Sequence, residues 1–470
     1  MGSKATPPTL TDARGLGGII AQDGFDYQLW DGLARLPKWL ANPLFEELMF
    51  EGLEDLEARF FSPYAANGRL LERYQAKSGS LTPRDVVEVF KSFQTFETAF
   101  PGHCRVQTLV TPRLPPTLNW LARDPERVRK ARPFYEPLPD VAAASDVALR
   151  ASLVDQFGAT LGTFVAGHVE ICERILADHD TAVTAFGLAL SKAYPSLDAG
   201  AARVASAFDK LDSLARKSVG APVSRARLET AIAEGLGAPL PKGSFPILLR
   251  SDRNESDETA LEIDARAFSG GAAGFPNADR WTRDLIEPLA STARWLKSSN
   301  ISRVSLNGSY RLTTAFVLGW SLRSAIGFDL EVPTREGRWN TDDRPAPADT
   351  FPAWTIEAPD QITDEILRVS VGVIRDPRPI LAGQYPGEPI MSCVLPEPIT
   401  SAKAAQHAVS LIKRAVDVAV ARLKSQRLDL YFVGPAALAV TLGHRWNAMP
   451  PTRLYEFDGV QRIYCETARL

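Results

Sequence analysis

The sequence predicts a multidomain α/β protein, and three observations carry that expectation. Strand-like and helix-like segments alternate in the first third of the chain and again in its second half. Between them lies an alanine-rich stretch with helical periodicity. Hydrophobic residues make up 45% and charged residues 23% of the 470, enough apolar surface for more than one core. At roughly 150 residues per domain the chain should hold two to four domains.

Charge and targeting narrow the class. Lysine and arginine total 53 against 56 aspartates and glutamates, a net charge of −3. This argues against global disorder and against a histone-like basic protein. It leaves room for a basic strip balanced elsewhere. The opening MGSKATPPTLTDARGLGG has no apolar stretch behind its positive charge, and Pro7-Pro8 suits a flexible arm over residues 1–14. No uncharged apolar run approaches the roughly 18 residues of a membrane span, so a cytoplasmic protein without membrane contact is expected. Cys104, Cys172, Cys393 and Cys465 form no CxxC pair, and the five histidines form no HExxH cluster. Neither a disulfide frame nor a zinc site is expected.

Residues 15–139 read as a small α/β domain. Phe25, Leu29, Leu33, Leu36 and Leu40 recur at helical spacing through Gln22–Leu40, despite Pro37. Glu47–Phe61 and Arg69–Ser78 are strand-like, and Asn67-Gly68 between them is a hairpin signal, since both turn residues must tolerate positive φ. Asp85–Phe96 is helical in spacing, and Cys104–Thr111 reads as a buried strand. Residues 140–235 read as helices with almost no strand signal, a helical extension. Its Arg203, Lys210, Arg216, Lys217, Arg225 and Arg227 suit a solvated face or, alternatively, a DNA-facing strip. GLGAPLPKG marks a linker over 236–244.

Residues 245–470 read as two similar halves. Arg303–Leu306, a turn at Asn307-Gly308-Ser309, a helix over Tyr310–Ile326 and a strand over Phe328–Val332 form the first. Strands at Leu367–Ile374, Leu428–Val433 and Arg453–Phe457, with helices at Ala402–Lys424 and Ala436–Leu442, form the second. This is the βαβ rhythm of two Rossmann-like lobes. No GxGxxG or GxxxxGK[ST] is present, and Ser321 sits in GWSLR rather than GxSxG. A dinucleotide enzyme, a P-loop and a hydrolase elbow are disfavoured.

The hairpin is where chemistry concentrates. On a strand through Asp55, the residues Asp55, Glu57 and Arg59 share one face; on the returning strand, Gln75 and Lys77 share one face. If these faces coincide, a carboxylate, an amide oxygen and an ammonium converge, with Glu51 as a second carboxylate. Such oxygen ligands suit Mg²⁺ or Mn²⁺ and phosphodiester cleavage, with the lysine positioning water or stabilising charge. The plain alternative is a surface hairpin with an Asp55–Lys77 ion pair, worth at most about 1 kcal/mol.

GIIAQDGFDYQ, LMFEGLEDLEARF and ERYQAKS together resemble the restriction-endonuclease-like PD-(D/E)xK domain of bacterial antiphage effectors, in its QxK variant. The resemblance implies Glu51 and Asp55 as acidic metal-site positions and Gln75 with Lys77 as the QxK pair. It also implies Gln28 as a supporting glutamine of the first helix. Where many relatives carry an acid, Gln75 is neutral, which lowers the negative charge of the site. SFPILLRSDRNESDETALEIDARAF, VSLNGSYRLTTAFVLGWSLRSAIGFDLEV and LDLYFVGPAALAVTLGHRWN resemble a SAVED domain, built of two fused CARF-type lobes. The order of the two resembles the CD-NTase-associated nuclease effectors of CBASS immunity. Such an effector would be a double-stranded DNA endonuclease with Mg²⁺ or Mn²⁺, activated by a cyclic oligonucleotide (an adenine-containing cyclic trinucleotide) made by a CD-NTase.

In open α/β sheets ligands lie beyond the carboxyl ends of the strands. The turns there are Asn307-Gly308-Ser309-Tyr310-Arg311 and Gly434-Pro435-Ala436, whose backbone N–H groups suit phosphate. Arg311 is placed to pair a phosphate, and Tyr310 or Trp339 to stack on a base; the bland alternative makes both aromatics core residues and Arg311 a surface cation. Ligand between the lobes would drive self-association that joins two nuclease sites on DNA. Two other functions stay open: a non-catalytic nucleotide-sensing DNA-binding or scaffold protein, and an RNA-directed nuclease.

Overall fold

Burial on both faces organises the first sheet. The computed structural model describes residues 13–52, 55–65, 67–125, 127, 139–251, 259–271, 274–335, 337–346 and 349–470. The chain divides into two units, Met1–Lys242 and Gly243–Leu470. In the first, β1 (Phe45–Phe50), β2 (Leu56–Phe61), β3 (Arg69–Ala76), β4 (Cys104–Thr111), β5 (Val169–Glu173) and β6 (Pro222–Ser224) form one sheet of order β5-β4-β3-β2-β1-β6. The β1–β2–β3 meander is antiparallel, whereas β3, β4 and β5 run parallel.

Leu48, Phe50, Leu56, Ala58, Phe60, Tyr74 and Ala76 lie on one face of this sheet. They form one core with α1 (Ala13–Ala41) and three later helices, α5 (His179–Ala193), α6 (Ala201–Arg216) and α7 (Arg225–Leu236). The other face packs Leu109 against α2 (Pro83–Ala99), α3 (Pro139–Phe157) and α4 (Ala159–His168). A capping box of Thr82 and Asp85, followed by Pro83, starts α2.

The structure corrects the sequence reading at three places. The strand-like run Glu47–Phe61 is two antiparallel strands, broken where Glu51 takes a φ of 53°. VEICE is not helical: Val169–Glu173 is an edge strand beside β4. The alternation of Val169 and Ile171 is too short to stand out within an alanine-rich helical run, and the parallel partner decides it. Residues 140–235 are therefore no appendage, because β5 and β6 are the two edges of the sheet that begins with residues 45–76. Among these basic residues Lys210, Arg216 and Arg225 are engaged. Arg216 pairs with Asp212 and Asp26 at 2.7 Å each, and Arg225 donates to the carbonyls of Leu40 (2.6 Å) and Asn42 (2.9 Å) at the end of α1. Satisfying the last carbonyls of a helix is a structural role.

The second unit holds two largely parallel sheets. The first lobe contains β7 (Phe245–Arg250), β8 (Leu261–Asp264), β9 (Arg303–Gly308), β10 (Asp329–Thr334) and β11 (Gly337–Asn340), ordered β11-β10-β9-β7-β8. The second contains β12 (Thr355–Glu357), β13 (Ile366–Val373), β14 (Ile390–Leu395), β15 (Arg427–Val433), β16 (Thr452–Asp458) and β17 (Ile463–Arg469), ordered β12-β14-β13-β15-β16-β17. Helices α8 (Glu287–Ser298) and α9 (Leu312–Ser321) flank β9, and Ser324–Ile326 follows as a separate 3-10 turn. In the second lobe, α10 (Arg378–Gln384) follows β13, α11 (Ala402–Leu423) precedes β15, and α12 (Ala436–Arg445) follows it.

The lobes meet through α9 and α12, the helix that follows the Gly turn in each. A Cβ on Gly319 would lie 2.0 Å from the Val440 carbonyl oxygen, and one on Gly443 2.2 Å from that of Phe316. The two helix backbones thus touch, which only glycine permits. Gly319→Ala should destabilise the second unit by about 1–3 kcal/mol, the usual cost of overpacking. Gly383→Ala, whose Cβ would meet nothing within 4 Å, should be neutral or slightly stabilising. Urea midpoints of the two variants would show the contrast; equal midpoints would rule out the contact.

Candidate functional site

Register assembles the hairpin site. Leu56 lies opposite Tyr74, so Asp55, one residue before β2, faces Gln75. One oxygen of the Asp55 carboxylate, Oδ2, accepts hydrogen bonds from Gln75 Nε2 at 2.8 Å and from the Ala76 amide at 2.7 Å. The Glu51 amide donates to the Asp55 carbonyl at 3.0 Å, closing the turn that carries both acids. On the other side, the Lys77 amide donates to the Val110 carbonyl at 2.8 Å, anchoring the QxK strand to β4.

Burial raises the pKa of Asp55 above the usual carboxylate value. The Ala76 amide and the Lys77 ammonium oppose that rise, Glu51 adds to it, and Gln75 opposes it. A half-buried carboxylate beside a second acid is a donor set that a divalent cation would relieve of repulsion. Gln75 spends its amide N–H on Asp55, which leaves its oxygen as the donor suited to a hard cation. Asp55, Glu51 and Gln75 therefore fit Mg²⁺ or Mn²⁺. Among the described residues no group of three or more His, Cys, Asp and Glu side chains is placed to hold a metal ion, so any such site relies on the amide and on water.

Gln28 reaches the same end of the sheet from the other layer. Its neighbours one turn either way, Gly24 and Gly32, press α1 against Ser78 and against Phe50 and Leu56. α1 packs on the face of Tyr74 and Ala76, and the hydrogen bonds of Asp55 to Gln75 and Ala76 do not involve Gln28. Glu57 shares the face of Asp55. It is buried two positions beyond Asp55, its carboxylate packs under Gly52, where a Cβ would lie 2.8 Å from Oε1, and Arg59 sits 3.4 Å away. The i, i+2 alternation from Asp55 was the signal for it.

In the second unit the turn after β9 is shaped by Gly308, with φ of 90° and a virtual Cβ 2.2 Å from the Leu249 carbonyl oxygen. Ser309 Oγ and Ser251 Oγ are 2.7 Å apart. Asn307 accepts from Arg338 at 2.7 Å, an arginine on β11 that also donates to Ser305 and that motif reading missed. Burial raises the pKa of the half-buried Tyr310, with Arg338 pulling the other way. Arg311 is exposed, donates to the Ser269 carbonyl at 2.8 Å, and lines a cavity of 190 Å³ with Gly271, Phe275, Phe457, Asp458, Gly459 and Val460. The turn after β16 thus faces the turn after β9. Trp339 is buried opposite Val332 on the β10–β11 pair, and Gly434 and Pro435, which lead into α12, are not among the residues lining this cavity.

Residues 288–470 match the family model described as SAVED, the SMODS-associated and fused to various effectors sensor domain. This stretch is similar to a SAVED domain. Over nearly its whole length it also resembles CD-NTase-associated protein 4 of Moraxella osloensis, 25% identical over 98% of this chain and 99% of the relative. The protein of that name from Acinetobacter sp. is 24% identical with the same coverage. The fold matches the Acinetobacter baumannii Cap4 SAVED/CARF-domain containing receptor with the cyclic trinucleotide 2'3'3'-cAAA, at a TM-score of 0.80 and 20% identity over 95% of this chain and 98% of that one. The Moraxella osloensis Cap4 receptor matches at 0.74 and 22% identity, over 96% and 100%. The resemblance to CBASS effectors with a SAVED sensor, first drawn from sequence motifs, thus extends across both units. The SAVED match includes Asn307–Arg311, Arg338 and Phe457–Val460, and no helix among the described residues is long and apolar enough to cross a membrane.

The strained charge at Asp55 has a measurable sign. Its folded pKa is raised, so its contribution to stability is present at pH below the unfolded carboxylate value and is lost as pH rises through the folded one. Asp55→Asn keeps an oxygen for Gln75 and Ala76 but carries no charge. In metal-free buffer the variant should be more stable than wild type at pH 7, and the gap should close toward pH 4. Urea unfolding at the two pH values measures it; a less stable variant at pH 7 would contradict the assignment.

Proposed function

We propose that this chain is an antiphage effector of the CBASS type: a metal-dependent double-stranded DNA endonuclease switched on by an adenine-containing cyclic trinucleotide from a CD-NTase. The observation that carries the nuclease half is the half-buried Asp55 carboxylate, bonded to Gln75 and Ala76, with Lys77 and Glu51 acting on its charge. The sensor half rests on the SAVED match and on the cavity between the β9 and β16 turns.

In this reading Asp55, Glu51 and the Gln75 amide oxygen would hold Mg²⁺ or Mn²⁺. The bound cation supplies Lewis acidity to the phosphodiester and lowers the pKa of a water. Gln75 orients Asp55 through its amide N–H, so the carboxylate keeps one geometry through the reaction. Lys77, fixed by the β3–β4 ladder, places an ammonium where negative charge grows on the phosphorus oxygens. Arg311 and the half-buried Tyr310 face the ligand from the first lobe, and Phe457 and Asp458 from the second.

One hairpin site cuts one strand. Double-strand breaks call for two, so ligand binding promotes self-association through the second unit and joins two nuclease domains on DNA. A shift from mostly inactive to mostly active requires about 5.5 kcal/mol of differential ligand affinity for the active state.

Plasmid cleavage with Mg²⁺ or Mn²⁺, with and without cyclic triadenylates, tests the whole reading, with single-stranded DNA and RNA as controls. Lys77→Ala should abolish cleavage, a loss of roughly 3–4 kcal/mol of transition-state stabilisation, while folding and ligand binding stay intact. Wild-type rates in that variant would remove the assigned site. Light scattering on the same samples should show a rise in mass with ligand for wild type and none for Arg311→Ala. Full cleavage by ligand-free protein, with no change of mass, would refute the switch.

A further inference from the structure

Helix α9 begins without a cap of its own. Its N-cap is Arg311, which has no acceptor to offer, and no side chain of that residue satisfies the first turn. Such a helix start, just beyond a parallel strand and a glycine turn, is a ready-made anion seat. Here the seat is taken. Glu456, buried on β16 and 143 residues away in sequence, accepts from the Thr313 amide at 2.8 Å through Oε2. Beside it, the Thr313 and Thr467 hydroxyls meet at 3.1 Å, and Thr467 donates in turn to the Leu454 carbonyl. The carboxylate of the second lobe thus stands where a ligand phosphate would otherwise sit in the first.

The position of Glu456 in the chain gives this contact a second consequence. The residues directly after it, Phe457 to Val460, form one wall of the 190 Å³ cavity, and Arg311, directly before α9, stands on the other. One carboxylate therefore ties together the two segments whose next residues face each other across the cavity. Behind it, the Gly319 and Gly443 contacts lock α9 to α12. At the front of the cavity, the Glu456–Thr313 bond registers the walls.

We propose that Glu456 is a positioning residue of the sensor: it fills the anion seat of α9 and sets Arg311 against the β16 turn, leaving Arg311 rather than the helix terminus to read ligand phosphate. This rests on the cyclic-oligonucleotide reading of the second unit, and it specifies which groups of that unit carry recognition. It departs from the expectation, drawn from sequence, that the backbone N–H groups of this turn bind phosphate.

Glu456→Ala and Glu456→Gln in the full chain test it, because glutamine keeps an oxygen for the Thr313 amide and alanine does not. The first readout is thermal stabilisation by inorganic phosphate against chloride at equal ionic strength. Phosphate should stabilise the alanine variant more than wild type or the glutamine variant, since only alanine leaves the seat open. The second is calorimetric affinity for 3'3'3'-cAAA. It should fall about tenfold in the alanine variant, the scale of one lost helix cap, and stay near wild type in the glutamine variant. An equal phosphate response in all three proteins, or wild-type affinity in the alanine variant, would overturn the proposal. If alanine does not fold, a glutamine variant that binds ligand tenfold more weakly at unchanged melting temperature would overturn it too. Failure of wild type to bind 3'3'3'-cAAA would count against the ligand assignment, and the phosphate comparison would still decide the role of Glu456.

Discussion

The antiparallel register of β2 and β3 is the constraint on which the candidate site of the first unit depends. Because Leu56 pairs with Tyr74, every residue of odd number from 55 to 59 and from 71 to 77 points away from α1, and every even one points toward it. The apolar set Leu56, Ala58, Phe60, Tyr74 and Ala76 pins that choice, since a slip of one residue would expose the whole set. Asp55 meeting Gln75 is thus a by-product of core burial. The core supplies the free energy that holds a half-buried carboxylate where water would otherwise be preferred.

Charge on the polar face is layered. Nearest the strand ends sit Glu51, Asp55, Gln75 and Lys77. Below them Glu57, Arg59 and Glu47 form a chain of ion pairs, with Arg59 at 2.8 Å from Glu47 and 3.4 Å from Glu57. Deeper still, Arg73 donates to Gln107 at 3.0 Å and stacks 3.7 Å over the Phe96 ring. The lower layers are paired charges, and burial holds the pKa of Asp55 in the top layer above the usual carboxylate value.

The second unit joins its lobes by close backbone approach as well as by the Glu456 carboxylate. Two glycines let α9 and α12 touch, and both helices follow the glycine turn of their lobe, so the lobes meet through equivalent elements. Loops at the carboxyl ends of both sheets are brought to one cavity by this contact. A clamp of this kind couples the lobes without a large apolar interface between their loops.

Much of this was legible in one chain of letters, and for identifiable reasons. The Asn67-Gly68 turn and period-2 alternation implied the β2–β3 pair, and the apolar spacing of Gln22–Leu40 implied α1, because both depend on neighbours close in sequence. So did the strand-turn-helix rhythm around Gly308 and Gly434, and with it two Rossmann-like lobes. Long-range partners settled the rest. Val169–Glu173 is a strand only because β4 lies beside it, and residues 140–235 belong to the first sheet only because β5 and β6 close its two edges. The helix that carries Gln28 packs on the sheet face opposite Gln75, Trp339 goes to the interior, and Glu456 takes the first turn of α9 from 143 residues away. Local pattern determines which elements form and which side chains share a face. Which faces then meet is decided by burial and by backbone groups finding partners across the fold, and no spacing rule in the sequence records that.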